Sequence, residues 1–214
     1  MARVSMTDFF THCWKSARLS LLVLLGGLWL AAAPAALRAQ PAAELTDFRL
    51  ERSDGALYLS ANLRLELAPV IEDALLKGVA MHFVAEAELL RDRWYWYDRK
   101  VASVARYMRL AYQPLTRRWR LNSAPEPMGS TGQGVSFTQY FDSLSEALAA
   151  VRRISRWKIA EAADIDGDAR HSVEFRFRLD VSQLPRPFQI GAAGQGEWNL
   201  SVARSQRLLP EGGK

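Results

Sequence analysis

Cysteine is almost absent from this sequence. Its single example, Cys13, lies within the first forty residues, which have the features of an export signal. Once that signal is removed, the chain has no thiol. It can then form no disulfide and no thiolate metal site, and it offers no cysteine as a catalytic nucleophile or as a point of lipid attachment.

Histidine is nearly as scarce, and a nucleophile motif is missing. Beyond residue 40 the histidines are His82 and His171, and no Gly-x-Ser-x-Gly sequence occurs. Either imidazole could act as a general base, so an envelope hydrolase built on one of them is an alternative function. Because both lie in segments that alternate like strands, we interpret them as ordinary surface side chains. We predict no catalytic residue and no cofactor.

The sequence also lacks an excess of either charge. Beyond residue 39 it holds 24 basic and 22 acidic residues, a net charge of +2. Nucleic-acid binding normally requires a concentrated basic stripe, so we predict no nucleic-acid partner. Only four of these basic residues are lysine. Genomic base composition explains that bias, and so does a preference for arginine in bidentate contacts with anions.

The N-terminus has the three parts of a secretory signal. Lys15 and Arg18 precede an uncharged apolar run over residues 19–33, and small residues follow up to Ala39. We expect cleavage after Ala39 and a periplasmic location. The alternative is an uncleaved inner-membrane anchor formed by residues 19–37, which would be the chain's one contact with the membrane.

Alternation of apolar and polar residues predicts a strand-rich domain. In residues 57–67 every second residue is leucine or alanine, which is typical of a strand with one buried face. An Asp-Gly pair at 54–55 predicts a hairpin turn that pairs this strand with residues 45–51. Pro69 suits the first turn of a short helix, and Gly78 suits its end.

The second half of the chain repeats the order strand, short helix, strand, strand. Ser143 is expected to cap the second helix, since Glu146 follows three residues later. The prolines at 185 and 187 predict an extended connection over residues 183–188. We therefore predict an α+β fold, predominantly antiparallel, with two packed sheets in a sandwich-like arrangement and two short helices, preceded by a signal or anchor helix.

The predicted domain spans residues 40–208, followed by a disordered tail over 209–214. Its two similar halves, 45–122 and 135–205, could be a duplication, although few residues are identical between them. Between them lies the flexible loop 123–134, which is rich in proline and glycine.

Four segments of the sequence are distinctive when taken together. They are WYWYD at 94–98, LAYQPLTR at 110–117, FDSLSEAL at 141–148 and LDVSQLPRPF at 179–188. They resemble a known proteobacterial family, the domain of unknown function 4390, often labelled proline-rich signal-peptide proteins. The resemblance covers about residues 45–205 and implies an exported protein with no established activity, cofactor or catalytic residue. Relatives are often encoded near an envelope sensor kinase, which makes such a kinase a candidate partner.

Two groups of residues invite a metal-site interpretation. His82, Glu86 and Glu88 share one face of a predicted strand, but alternate residues lie roughly 6.5–7 Å apart, too far to converge on one ion. The run DIDGD at 164–168 looks like a calcium loop, yet it lacks the glycine and glutamate that an EF-hand needs at its sixth and twelfth positions. We predict no metal site and interpret the run as a turn.

An aromatic cluster flanked by basic residues is the predicted binding patch. In residues 94–97 two tryptophans would face one side of a strand and two tyrosines the other. Exposed aromatic rings beside arginines suit sugar rings, lipid headgroups or a partner protein. We expect the tryptophans to be buried. The patch comprises Arg91, Arg93, Tyr95, Tyr97, Arg99 and Lys100.

These features favour a non-enzymatic periplasmic domain that binds a protein or an envelope polymer and serves a membrane signalling system. Two alternatives remain: the hydrolase described above, and a module associated with lipid or lipopolysaccharide that uses the aromatic patch.

Replacing Leu22, Leu24 and Leu25 with charged residues should trap the protein in the cytoplasm, because the apolar segment would lose its transfer free energy. Cell fractionation measures this, and N-terminal sequencing of the exported form decides between cleavage and an anchor. Periplasmic recovery equal to that of the wild type would reject the assignment of a leader.

Overall fold

The computed structural model describes residues 43–93, 98–127, 136–165, 169–192 and 196–208. The predicted signal or anchor segment and the tail lie outside these ranges. Within them, no helix is both long enough and apolar enough to cross a bilayer.

Nine strands lie within the described ranges, and every neighbouring pair is antiparallel. They form a three-stranded sheet of order β1–β2–β7 and a six-stranded sheet of order β6–β5–β4–β3–β8–β9. The strands are β1 Ala43–Ser53, β2 Ala56–Leu65, β3 Met81–Arg91, β4 Arg99–Gln113, β5 Arg118–Ala124, β6 Phe137–Phe141, β7 Arg153–Glu161, β8 His171–Leu179 and β9 Ser201–Arg207. The prediction of an antiparallel α+β fold with two sheets is confirmed.

Three short α-helices accompany the sheets in the part of the chain that the structure describes, one more than predicted: α1 Pro69–Leu76, α2 Leu144–Arg152 and α3 Arg186–Ala192. Pro69 occupies the first turn of α1, and Gly78 follows that helix with φ +84°. The hydroxyl of Ser143 accepts the backbone N–H of Glu146 at 3.2 Å, which confirms the predicted cap of α2.

Helix α3 overturns the extended connection predicted around the prolines at 185 and 187. The backbone N–H groups of Phe188 and Gln189 both donate to the carbonyl of Pro185, at 2.9 and 3.2 Å. Pro187 lies in the first turn, where a missing N–H costs no helical hydrogen bond. The side-chain amide of Gln189 also donates to two carbonyls of the preceding turn, each at 2.7 Å. Local hydrogen bonds therefore favour the helix over an extended path.

The first hairpin follows the turn chemistry of its sequence. Asp54 and Gly55 both have positive φ, 51° and 70°, as a two-residue turn with the right twist requires. The turn pairs Ser53 with Ala56 and sets the register of β1 on β2. The leucines at 57, 59, 63 and 65 are consequently buried together on one face.

Aromatic side chains fill the inner face of the six-stranded sheet. Phe175 and Phe177 of β8 are almost fully buried and lie opposite the small residues Ala87 and Ala85 of β3. Burial of each phenylalanine contributes about 1.5–3 kcal/mol to folding. The ring of Phe48 in β1 lies 5.9 Å from that of Phe175, so the two sheets pack face to face over this core.

One charged side chain enters the space between the sheets. Arg106 of β4 lies opposite Ala85 on the inner face, and its guanidinium is 5.1 Å from the ring centre of Trp157 in β7. Burial lowers the pKa of Arg106 below its usual value. The cation–π contact joins the two sheets at a point where alanine leaves room for it.

Both halves of the sequence contribute to both sheets. In the three-stranded sheet, β7 from the second half pairs with β2 from the first. In the six-stranded sheet, β8 from the second half pairs with β3 from the first. The loop predicted at 123–134 lies between β5 and β6, which are neighbours in the same sheet. Its first two residues belong to β5, and residues 128–134 lie outside the described ranges.

Truncation to alanine should lower the free energy of unfolding at the buried face of a strand and leave it nearly unchanged at the exposed face. Leu63 and Phe177 are buried, so Leu63→Ala and Phe177→Ala should each lower the free energy of unfolding by about 2–5 kcal/mol. Arg64, whose side chain is 62% exposed, should tolerate alanine within about 0.5 kcal/mol. Chemical denaturation measures all three, and the reverse ranking would contradict the register of these strands.

Candidate functional site

The six-stranded sheet presents a polar face on the side opposite its phenylalanines. We call it the outer face. Its side chains include His82, Glu86 and Glu88 of β3, Tyr107 and Arg109 of β4, Arg120 and Asn122 of β5, Thr138 and Tyr140 of β6, and Glu174, Arg176 and Arg178 of β8.

A continuous row of polar side chains crosses four strands of the outer face. The sheet register places His82 opposite Arg109, Arg109 opposite Asn122, and Asn122 opposite Thr138. The amide of Asn122 donates to the hydroxyl of Thr138 at 3.3 Å. Arg120 lies diagonally across from Arg109, since its own partner on β4 is two residues further along. We call His82, Arg109, Arg120, Asn122 and Thr138 the polar row.

Three buried polar atoms of this row lack a hydrogen-bond partner: Nδ1 of His82, Nε of Arg120 and Oδ1 of Asn122. Buried polar atoms are nearly always paired in folded proteins, so each such atom calls for an explanation. His82 lies on β3 and the other two residues lie two strands away on β5, with Arg109 of β4 between them, so these atoms mark the polar row as a candidate binding site.

His82 also lies in a cleft of about 210 Å³ at one end of the outer face. Burial lowers the pKa of His82 below its ordinary value of 6.5, and the positive charge of Arg109 lowers it further. The carboxylate of Asp180 opposes both effects. The imidazole is therefore neutral at neutral pH. The cleft is also lined by Tyr107, Pro127, Arg178, Asp180 and Gln183.

Hydrogen bonds already engage the carboxylate in this cleft. Oδ1 of Asp180 accepts from the backbone N–H and the hydroxyl of Ser182, at 3.2 and 2.6 Å. It lies 3.7 Å from Arg178, which also pairs with Glu86 at 3.4 Å. Alternation predicts Arg178 to be an ordinary surface residue, but it bridges two carboxylates because β3 and the end of β8 bring them together.

A second cleft, of about 200 Å³, lies further along the same face. Three carboxylates contribute to it, Glu86, Glu88 and Glu174, together with the exposed Arg176. Lys100 of β4 pairs with Glu88. The acidic side chains are thus partly compensated within the sheet.

The two histidines are far apart and on opposite faces. His171, at the start of β8, is only 2% exposed and belongs to the inner face, so its interpretation as a surface side chain was wrong. Its Nδ1 lies 3.1 Å from the carbonyl oxygen of Ala169, and its Nε2 is buried without a partner. Nine residues of strand, or roughly 30 Å, separate it along β8 from the level of His82.

The predicted binding patch lies at the far end of the β3–β4 hairpin. Arg91 pairs in register with Arg99, while Arg93 is exposed and its backbone N–H donates to Asp98 at 3.2 Å. Lys100 is exposed and makes the ion pair described above. Tyr95 and Tyr97, like the two tryptophans beside them, lie outside the described residues. The patch therefore stays a prediction.

Metal-binding side chains do not converge in the part of the chain that the structure describes. His82, Glu86 and Glu88 run along β3 and belong to different clefts. The calcium-like run at 164–168 lies mostly outside the described residues.

The most informative residues of the outer face were not singled out from the sequence. They are Arg109, Arg120 and Asn122, which are unremarkable within their own segments. One signal was available: a tight turn over residues 114–117 pairs Gln113 with Arg118 and so places Arg109 opposite Asn122. A prediction of cross-strand pairs from that turn would have found the row.

A family model for a domain of unknown function, DUF4390, matches residues 40–207. The match covers most of the chain, so the chain belongs to this family, and the resemblance noted from the sequence is confirmed. No curated protein and no solved structure matches the chain. The family description carries no activity, and the function must be argued from the residues themselves.

The pKa of His82 should respond in opposite directions to two substitutions. Arg109→Gln removes a repelling positive charge and should raise it, whereas Asp180→Asn removes an attracting negative charge and should lower it. NMR titration of the imidazole measures both shifts. Arg176→Gln, on the same face, should leave the pKa of His82 nearly unchanged. Equal shifts in all three variants would show that Arg109 and Asp180 do not act on the imidazole locally.

The same pKa sets the sign of a stability effect. Because folding lowers the pKa of His82, the unfolded chain binds this proton more readily. The contribution of His82 to the free energy of unfolding is fully present above pH 6.5. It is lost as the pH falls through the lowered pKa that His82 has in the folded protein. His82→Gln should therefore lose less stability on acidification than the wild type does.

Proposed function

We propose that this member of the DUF4390 family is an exported, non-enzymatic domain of the cell envelope that binds a protein or polymer across its outer face. The polar row carries the proposal. Three buried polar atoms of this row have no hydrogen-bond partner, and arginines lie beside them. The row is on the face of the sheet that does not contribute to the hydrophobic core. A periplasmic location follows from the export signal, and a membrane sensor kinase is a candidate partner.

The shape of the outer face supports binding over catalysis. The two clefts described above, of about 210 and 200 Å³, are smaller than most ligand pockets, which measure about 300–1,000 Å³. Asp180 directs its carboxylate to Ser182 and Arg178 and so does not orient His82 as a triad carboxylate would. A sheet face with shallow depressions suits an extended partner.

One observation favours the hydrolase alternative. His82 is neutral at neutral pH and has a free ring nitrogen, as a general base requires. In a hydrolase, His82→Gln would abolish turnover of an envelope substrate while substrate binding persisted. In a binding domain, the same variant changes affinity only. The alternative module for lipid or lipopolysaccharide would use the patch from Arg91 to Lys100.

Site-specific crosslinking in living cells tests the proposal. A photoreactive amino acid at position 105 or 138, both on the outer face, should give a discrete adduct after illumination. The matched controls are positions 51 and 62, exposed residues of the three-stranded sheet, which should give none. Mass spectrometry of the adduct identifies a protein partner, and glycan analysis identifies a polymer.

Position 93 extends the experiment to the predicted patch. Adducts from position 93 alone would show that the predicted patch binds the partner, and they would reject the outer face as the binding surface. Adducts from positions 51 and 62 alone would reject both surfaces. Adducts at every position would indicate random collision and would also count against the proposal.

A further inference from the structure

Some arginines of the outer face pair with a carboxylate, whereas Arg176 and the two arginines of the polar row do not among the described residues. Arg178 and Arg118 each pair with a carboxylate, at 3.4 and 3.0 Å, and so do arginines of the other sheet. Arg109 and Arg120 have no carboxylate partner among the described residues. Their charges are therefore uncompensated locally.

The sheet register brings Arg109 and Arg120 onto neighbouring strands. Arg109 and Arg120 occupy diagonal positions on β4 and β5, a spacing of about 7–8 Å that long side chains bridge easily. Both are half-buried, so solvent screens their repulsion only partly. A single anion between them would neutralise both charges and accept hydrogen bonds from both groups.

The unpaired atoms describe the rest of the ligand. Nε of Arg120 is a donor and needs an acceptor, which an oxyanion supplies. Oδ1 of Asn122 is an acceptor and needs a donor, which an oxyanion alone cannot supply. A hydroxyl group next to the anion meets that second need. Nδ1 of His82 is a donor or an acceptor according to its tautomer, so it fits either group.

We infer that the polar row binds a saccharide that carries a phosphate or carboxylate group, with the oxyanion held between Arg109 and Arg120 and a sugar hydroxyl donating to Asn122. This inference rests on the proposed function, because it names the chemistry recognised on the same outer face. Tyr140 lies opposite Arg120 in the register, and the guanidinium of Arg118 lies 5.9 Å from the centre of its ring.

NMR titration of the full chain with glucose 6-phosphate and with glucuronate tests the inference. Both probes should shift the His82, Arg109 and Arg120 side-chain resonances in a saturable way, whereas glucose should not. Arg109→Gln and Arg120→Gln should each weaken binding by about tenfold or more, since a charge-assisted hydrogen bond is lost. Asn122→Ala should reduce the affinity for glucose 6-phosphate to that for inorganic phosphate.

Arg176→Gln is the matched control, because it removes one positive charge from an exposed position on the same face. It should leave binding within about twofold, as expected of a charge outside the site. If it weakens binding as much as Arg109→Gln does, general attraction explains the binding and the inference fails. Arg109→Lys and Arg120→Lys keep the charge and cover the case in which a glutamine variant does not fold.

The remaining outcomes distinguish the source of the oxyanion. If inorganic phosphate binds as tightly as glucose 6-phosphate, the sugar contributes nothing to binding and the inference of a saccharide ligand is wrong. Binding to phosphatidylglycerol vesicles without binding of either soluble probe would assign the site to a lipid surface and also overturn it. Adducts from positions 105 and 138 without any probe binding would reject this inference and leave the proposed function standing.

Discussion

The need to cover one face of the six-stranded sheet governs this structure. Phe83, Phe175 and Phe177 all point to that face and are almost completely buried. Within the described part of the chain, the three-stranded sheet packs over this face. Because successive residues of a strand point to opposite sides, the burial of these phenylalanines fixes the register of β3 and β8 and directs the intervening residues outward.

The composition of the outer face follows from that constraint. Residues such as His82, Glu86 and Arg178 lie between buried neighbours, so they must tolerate water or find partners among themselves. Arg178 finds two carboxylates, and Lys100 finds one. Arg109 of β4 and Arg120 of β5 have no carboxylate partner among the described residues, and Arg109 lies opposite Asn122. Three of the four unpaired buried polar atoms among the described residues lie on the face that the core leaves open, and the fourth, Nε2 of His171, lies on the inner face.

Local patterns predicted much of the fold. The alternation from Leu57 to Leu65 and the Asp-Gly turn at 54–55 fixed the first hairpin, and Pro69 and Ser143 marked two helices. Helix α3 was missed because two prolines in three residues resemble an extended segment, although the second fits a helical first turn.

His171 has the same parity as Val173 and Phe175, so extending the alternation of β8 to its first residue would have placed it on the inner face. Long-range pairing explains what the sequence could not provide. The polar row needs the register of four strands at once, so its members look ordinary one by one. The predicted patch depended on local composition alone, and its aromatic residues lie outside the part of the chain that the structure describes.

Arginine footprinting tests the central claim, that the outer face is the binding face, most directly. Phenylglyoxal would modify the protein alone and in the presence of envelope fractions, and mass spectrometry would quantify each site. Arg109 and Arg120 should lose reactivity when envelope material is present, while Arg49 and Arg64 on the other sheet should keep theirs. Protection of Arg49 and Arg64 with unchanged reactivity of Arg109 and Arg120 would contradict the account.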